Sequence, residues 1–204
     1  MISQIKSRFL HLRRKEDGNA SVEFFIIFPI YLSLLFLSIE LGLVTMRHAM
    51  LERGLDVAVR DIRLGTGTFA FEDPVDVNGN PVLDSDGNPV TAEDVNHARI
   101  VKSICDNAIV LRDCHKNLIL EMVPNNIRTY TALGPDTECR DKDEDANPAY
   151  TVVPGQENEL MMLRACLRYD PLFPEELLGR GIADSKHNGQ ALIIAMSTFV
   201  QEPR

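Results

Sequence analysis

The sequence predicts an α+β protein, with one long N-terminal transmembrane helix followed by an exported domain holding a small antiparallel sheet. Three observations carry that prediction. Residues 24–44 form an apolar run whose only carboxylate is Glu40. Three later runs read as strands, one of which alternates apolar and polar residues with a strand's period. All four cysteines, Cys105, Cys114, Cys139 and Cys166, lie after the apolar run.

The first segment, residues 1–18, is a short basic leader. Lys6, Arg8, Arg13, Arg14 and Lys15 outweigh Glu16 and Asp17, whereas the whole 204-residue chain carries a net charge of −9. A basic head on an acidic body places the head in the cytoplasm and residues 47–204 on the other side of the membrane. It also argues against nucleic acid as a partner, because no basic stripe lies within the body.

The span itself covers residues 24–44. At 1.5 Å per residue it is about 31 Å long, the thickness of the hydrocarbon core of a bilayer. It exceeds the 7–15 residues of a secretory signal core, and no small-residue cleavage site follows it. Pro29 removes a backbone donor within this helix and is expected to bend or loosen it. Glu40 lies roughly 24 Å along the helix from Phe24. That position predicts an acid at the outer interface, reaching headgroups or water.

Glu23 poses a different question, since it stands one residue before the span on the cytoplasmic edge. A charge near lipid is costly unless an opposite charge comes close. A chain cut after Gly18 begins at Asn19 with a new amino group, and Glu23 becomes its fifth residue. The carboxylate can then pair with its own or a neighbouring subunit's amino group.

The helix is expected to continue to residue 64, with Met46, Ala49 and Met50, then Leu55, Val59 and Ile62, at steps of three and four along one face. Gly65 supplies the stop. A helix over residues 19–64 is about 69 Å long, and its outer half is expected to lay an apolar face on a sheet.

Residues 65–204 make up the exported domain. Its first part, residues 65–90, reads as loop, with an imperfect duplication, "NGNPV" and "DGNPV". Asn-Gly and Asp-Gly favour tight turns because they tolerate positive φ. Asp84, Asp86 and Asn88 alternate like the start of a calcium loop. An EF-hand loop, however, has glycine at position six and glutamate at twelve, whereas here glycine stands at four and Val95 at twelve. A solvated hairpin is the better reading, and no metal site is expected.

Thr91 with Asp94 three residues on reads as a capping box that starts a helix running to about Leu111. Within one helix Cys105 and Cys114 would stand about 13.5 Å apart, and a disulfide requires α-carbons within about 7 Å. A bond between them therefore demands a helix break near residues 111–113. His97 and His115 read as surface histidines on polar faces. Three strands follow, in "NLILEMV", "ELMMLRACLRYD" and "QALIIAMSTFV". The second places Leu163, Ala165, Leu167 and Tyr169 on one side and Arg164 and Arg168 on the other. The third is apolar on both faces and is expected at the centre. "YTVV" adds a short edge. The acidic stretch "GPDTECRDKDEDANP" reads as a solvated loop carrying Cys139. An even number of cysteines in an exported domain points to two disulfides. Four cysteines allow three pairings, Cys139 with Cys166 among them.

No constellation of catalytic residues is present: no nucleophile elbow, no H-E-x-x-H, no glycine-rich phosphate loop. The sequence is read as a non-enzyme with no cofactor.

The basic leader, Gly18, Glu23 and Phe24 together resemble the type IV prepilin pattern. More narrowly, "DGNASVEFFIIFPIYLSLLFLSIELG" resembles the TadE-like proteins of tight-adherence (Tad/Flp) pilus systems, with the early proline and the closing Glu40-Leu41-Gly42. "MLERGLDVAVRDIRLGT" is similar to that family's helix extension, "ICDNAIVLRDC" to its cysteine pair, and "RACLRYDPLFPEELLG" with "STFVQEP" to its late strands. Residues 72–92 look like an insertion.

The resemblance implies a minor pseudopilin of the bacterial inner membrane with a pilin-like helix and a periplasmic domain. It implies cleavage between Gly18 and Asn19 by a prepilin peptidase, and roles for Glu23 and Phe24 in processing or subunit alignment. The implied partners are that peptidase, other pseudopilins or Flp pilin, the inner-membrane Tad assembly platform and the bilayer. The protein would serve in assembly of type IVb pili and could enter the pilus itself. The rival reading is an unprocessed single-pass anchor whose periplasmic domain is a binding or scaffold module.

Overall fold

The computed structural model describes residues 20–64, 72–85, 87–126, 128–129, 151–173, 181, 183–184 and 189–203. In chain order the elements are α1 (Ala20–Arg63), α2 (Ala92–Asn107), α3 (Cys114–Asn117), β1 (Ile119–Asn125), β2 (Thr151–Val152), β3 (Leu160–Tyr169), β4 (Ala183–Asp184) and β5 (Gln190–Val200). Two compact units divide the chain, one ending at Ile39 and the other starting at Glu40.

The described part of the first unit is helical and apolar. Pro29 lies inside the helix. Phe24, Phe25, Ile26, Ile27, Ile30, Tyr31 and Leu34 are all exposed. Glu23 occupies the first turn, where a carboxylate is favoured by the partial positive charge of the helix N-terminus. α1 is long and apolar enough to cross a membrane.

In the second unit the chain buries its apolar face. Leu51, Leu55, Ala58, Val59 and Ile62 of α1 join one core with Ile100, Val101 and Ile104 of α2 and with the near face of the sheet. Steps of three and four on a helix give this stripe. The expected face was placed slightly early: Met46 is exposed, and Leu51 fills the first fully buried position. Gly54 allows α1 and α2 to touch, since a β-carbon there would stand 2.6 Å from the carbonyl oxygen of Ile104. Gly65, the expected stop, lies outside the described residues.

The sheet order is β2-β1-β3-β5-β4. β1, β3, β5 and β4 pair antiparallel in sequence across the sheet. The edge strand β2 runs parallel to β1, so the sheet is mixed rather than the antiparallel one expected. The α+β architecture stands. The centre also differs from expectation. β3, not β5, lies between the two long strands, and eight of its ten residues are buried. Among the described residues β5 pairs on its other side with the two residues of β4.

Alternation along β3 sorts the faces as the sequence predicts. Met161, Leu163, Ala165 and Leu167 face the helices, packed with Leu120, Met122, Ile193, Ala195 and Phe199. Arg164, Cys166 and Arg168 take the opposite face, which is buried as well. There Arg164 forms an ion pair with Glu121, its direct neighbour in the β1–β3 register. Cross-strand neighbours of opposite charge stabilise a sheet.

α2 starts as predicted. Thr91 Oγ1 accepts from the Asp94 N–H at 3.2 Å, and Asp94 Oδ2 accepts from the Thr91 N–H at 2.8 Å. The helix stops at Asn107, earlier than the expected Leu111. The duplicated loop forms two similar turns closed by the bridges Val75–Pro81 and Leu83–Pro89. Gly79 and Gly87 supply the positive φ, 83° and 85°, that the turns require.

Candidate functional site

Of the predicted residues that the structure describes, Glu23 and Phe24 lie at the head of α1, Cys105 and Cys114 bracket the break between α2 and α3, and Cys166 lies on β3. Gly18 and Asn19 lie outside the described residues. Glu23 and Phe24 lie in the first turns of α1, both exposed. The Phe24 ring stacks on Phe28 one turn later, with centroids 4.7 Å apart, and meets Phe25 edge-on. An acid followed by a bare aromatic cluster thus heads an exposed apolar helix.

Cys105 and Cys114 are bonded, with α-carbons 5.7 Å apart. The break that this requires begins at Ala108, where the N–H returns to the Cys105 carbonyl. It ends at Asp113, whose left-handed φ of 52° starts the short α3. The break was expected at residues 111–113, and it takes in those residues but starts sooner. Cys166 on β3 is disulfide-bonded too. Cys139 lies outside the described residues, as does the acidic loop around it.

Glu40 does not do what its sequence position suggests. It reaches neither headgroups nor water; it is only 1% exposed. Its Oε1 accepts from the backbone N–H of Leu172 and its Oε2 from that of Phe173, both at 3.2 Å. The loop that follows β3 folds over the carboxylate and satisfies it with two amides, which is how a buried acid is tolerated. One further contact holds the same region: the Arg47 guanidinium lies 4.4 Å over the Tyr169 ring. Arg47 follows Glu40 by seven residues, two turns along the helix, so both face the β3 end. Burial raises the Tyr169 hydroxyl above its usual pKa, opposed by Arg47 and reinforced by Glu40. Sequence reasoning missed this clasp. The only local signal is an acid inside an apolar helix, and its partners lie more than a hundred residues away.

The histidines also separate. His115 is exposed, 3.7 Å from Asp106. His97 is partly buried rather than a surface residue, and burial pushes its pKa down to about 4 against the pull of Asp94. In the duplicated loop the acids serve their own turns. Asp76 Oδ1 accepts from the N–H groups of Asn78 and Asn80, and Asp84 Oδ1 from that of Asn88. These backbone bonds lower the Asp76 pKa. Asp86 lies outside the described residues. Among the described residues no group of three or more His, Cys, Asp or Glu side chains is placed to hold a metal.

The first unit is an apolar helix with an acid in its first described turn, and the second is a disulfide-stapled domain that holds Glu40 through two backbone amides. Residues 18–60 match the family model of the TadE-like protein. No curated protein and no solved structure matches the chain. The TadE-like match begins at Gly18, takes in Glu23, Phe24 and Glu40, and runs into the part of α1 that packs on the sheet.

Proposed function

We propose that the protein is a minor pseudopilin of the TadE-like kind, a structural component that serves assembly of Tad/Flp type IVb pili. It is a single-pass inner-membrane protein with residues 1–18 cytoplasmic and residues 65–204 periplasmic. A prepilin peptidase cuts between Gly18 and Asn19, so that this bond is a substrate and the protein itself is not an enzyme. Other pseudopilins or Flp pilin, and the inner-membrane platform, are its partners.

The observation that carries this reading is where the TadE-like match begins. It starts on Gly18, the residue before the bond to be cut, and it includes Glu23 at the head of an exposed apolar helix. An exposed helix of this kind needs lipid or neighbouring helices around it. Cutting after Gly18 supplies an amino group four residues before Glu23, close enough along one helical turn for the two charges to meet.

Mass measurement of the protein's N-terminus, extracted from cells that make pili, tests the reading. The chain is expected to begin at Asn19, and Gly18→Lys is expected to retain the leader and to abolish assembly. Glu23→Ala is expected to insert in the membrane yet to lower pilus number. Native protein that begins at Met1 in piliated cells would overturn the processing step and favour an uncut anchor with a scaffold domain.

A further inference from the structure

Between the start of α2, the segment after β2 and the end of β5 lies a cleft of about 650 Å³. Glu93, Asn96, Val153, Glu157, Gln201 and Glu202 line it, all of them in the second unit. Asn96 and Gln201 are buried amides, and Val153 gives an exposed apolar wall. Gln201 is only 2% exposed. Its Nε2 donates to the Ile62 carbonyl at 3.4 Å, while its Oε1 has no hydrogen-bond partner among the described residues and is left for the cleft. A buried amide oxygen without a donor is costly, and such atoms are rare in folded proteins. A donor that arrives through the cleft removes that cost.

The charge of the lining selects the donor. Glu93, Glu157 and Glu202 contribute three carboxylates, and the described lining holds no lysine, arginine or histidine. Arg63, outside the lining, answers Glu202 in part, with Nη2 donating to its Oε1 at 3.1 Å in an exposed pair. An anion at the start of α2 is disfavoured, because donors there are already taken: the Ala92 N–H by Asp73 Oδ1 and the Asp94 N–H by Thr91 Oγ1. An added strand is disfavoured too. The Val152 N–H donates to Glu93 Oε1 at 2.7 Å, and the Val153 N–H to the Met122 carbonyl at 3.0 Å, so these amides are not open to a backbone ladder. Among the described residues no three acids or histidines are placed to hold a metal. What fits is an extended cation with several N–H groups. A guanidinium offers five in a planar fork, enough to reach Gln201 Oε1 and a carboxylate together.

We propose that this cleft is a docking site for an arginine side chain of a partner protein. The guanidinium donates to Gln201 Oε1 on the floor and meets the carboxylates of Glu157 and Glu202 at the rim, while its stem lies on Val153.

The test uses acetyl-arginine methylamide as the probe, titrated into the full-length protein in detergent micelles and followed by heteronuclear NMR. The side-chain amide signals of Asn96 and Gln201 and the backbone signal of Val153 should shift and saturate, and added salt should weaken the binding. The neutral citrulline analogue and the glutamate analogue should not bind, and the lysine analogue should bind less tightly than arginine. Gln201→Leu, which keeps the bulk and removes the oxygen, should weaken arginine binding about tenfold. Glu157→Gln should weaken it about threefold, as suits an exposed partner. Should Gln201→Leu lose the dispersed amide signals of the folded domain, Glu157→Gln and the citrulline comparison decide the matter without it.

Shifts that fail to saturate, or that spread over the acidic turns at Asp76 and Asp84 instead of the cleft, would overturn the proposal. So would equal binding of citrulline or of lysine, the first because charge would not matter and the second because the fork would not. An unchanged affinity in a folded Gln201→Leu protein would show that water satisfies Oε1, and would remove the observation on which the site stands.

Discussion

Leu34 and Leu51 stand on the same helix, α1. Leu34, before Glu40, is exposed; Leu51, after it, has no exposed surface at all. The same contrast holds for their neighbours, with Phe24, Ile26 and Ile30 bare in the first unit and Leu55, Val59 and Ile62 buried in the second. Composition separates the two stretches only in part. What differs is charge: Arg53, Asp56, Arg60 and Asp61 restrict the apolar residues after Glu40 to one stripe, whereas before it no charge interrupts the surface after Glu23. An all-round apolar helix is built for lipid or for neighbouring helices, and a striped one for a sheet.

The largest effect expected from this comparison comes from truncating one leucine on each side of Glu40. Leu51→Ala leaves a cavity in a fully buried site and should cost the domain about 3 kcal/mol of unfolding free energy. Leu34→Ala should leave the unfolding of residues 40–204 unchanged. Denaturant melts of the full chain in detergent, followed by near-ultraviolet circular dichroism, read both. A Leu34→Ala protein whose domain melts earlier would break the comparison, because it would mean that the first half of α1 helps to hold the domain.

A second contrast concerns how each region is held in shape. The apolar unit relies on backbone hydrogen bonds of a single helix, while the domain adds a cross-link between Cys105 and Cys114. Closing so short a loop restricts the unfolded chain by about 3 kcal/mol on the chain-entropy account. The paired change Cys105→Ala with Cys114→Ala should lower the domain's stability by that order and leave α1 helical in detergent. A domain equally stable with and without the bond would show that the break at residues 108–113 is held by packing of Leu111 and Leu118 instead.

Much of this was legible in the sequence because its causes are local. The capping box of Thr91 and Asp94, the stripe on α1 and the alternation along β3 each depend on residues a few positions apart. So does the demand for a break between two cysteines nine residues apart. What the sequence hides is set by partners far along the chain. Glu40 looks like an interfacial acid until residues 172 and 173 arrive to cover it. Arg164 and Arg168 look like an outward face, yet that face is buried, and in the β1–β3 register Arg164 meets Glu121. β2 carries too few residues for its direction to be inferred, and its parallel pairing with β1 makes the sheet mixed. The apolar character of both faces of β5 points to a centre that β3 occupies instead, because β3 alone has a long strand on each side. At the head of the helix, Gly18, Glu23 and Phe24 are legible as a motif, and the cut proposed after Gly18 is decided by the mass of the protein's N-terminus rather than by the fold.

The smallest effect expected is a dependence on pH that belongs to the domain and not to the apolar unit. His97 sits on α2, partly buried, with a pKa lowered from 6.5 to about 4 by burial, and with Asp94 pulling the other way. The folded protein therefore resists protonating His97 at a pH where the unfolded chain accepts the proton readily. Its contribution is fully present above pH 6.5 and is lost as pH falls from 6.5 toward 4, since the unfolded state then binds more protons than the folded one. Between pH 7 and pH 5 this amounts to about 1–2 kcal/mol, with partial exposure favouring the lower figure. Carboxylates titrate nearby, so the measure is the difference between wild type and His97→Gln, which cannot take up the proton. The wild-type domain should lose more stability than His97→Gln over that interval, while flotation of both proteins with vesicles stays the same, because residues 20–39 carry no histidine. Identical pH slopes in the two proteins would mean that His97 protonates in the folded domain without penalty, and would place it on the surface where the sequence first suggested.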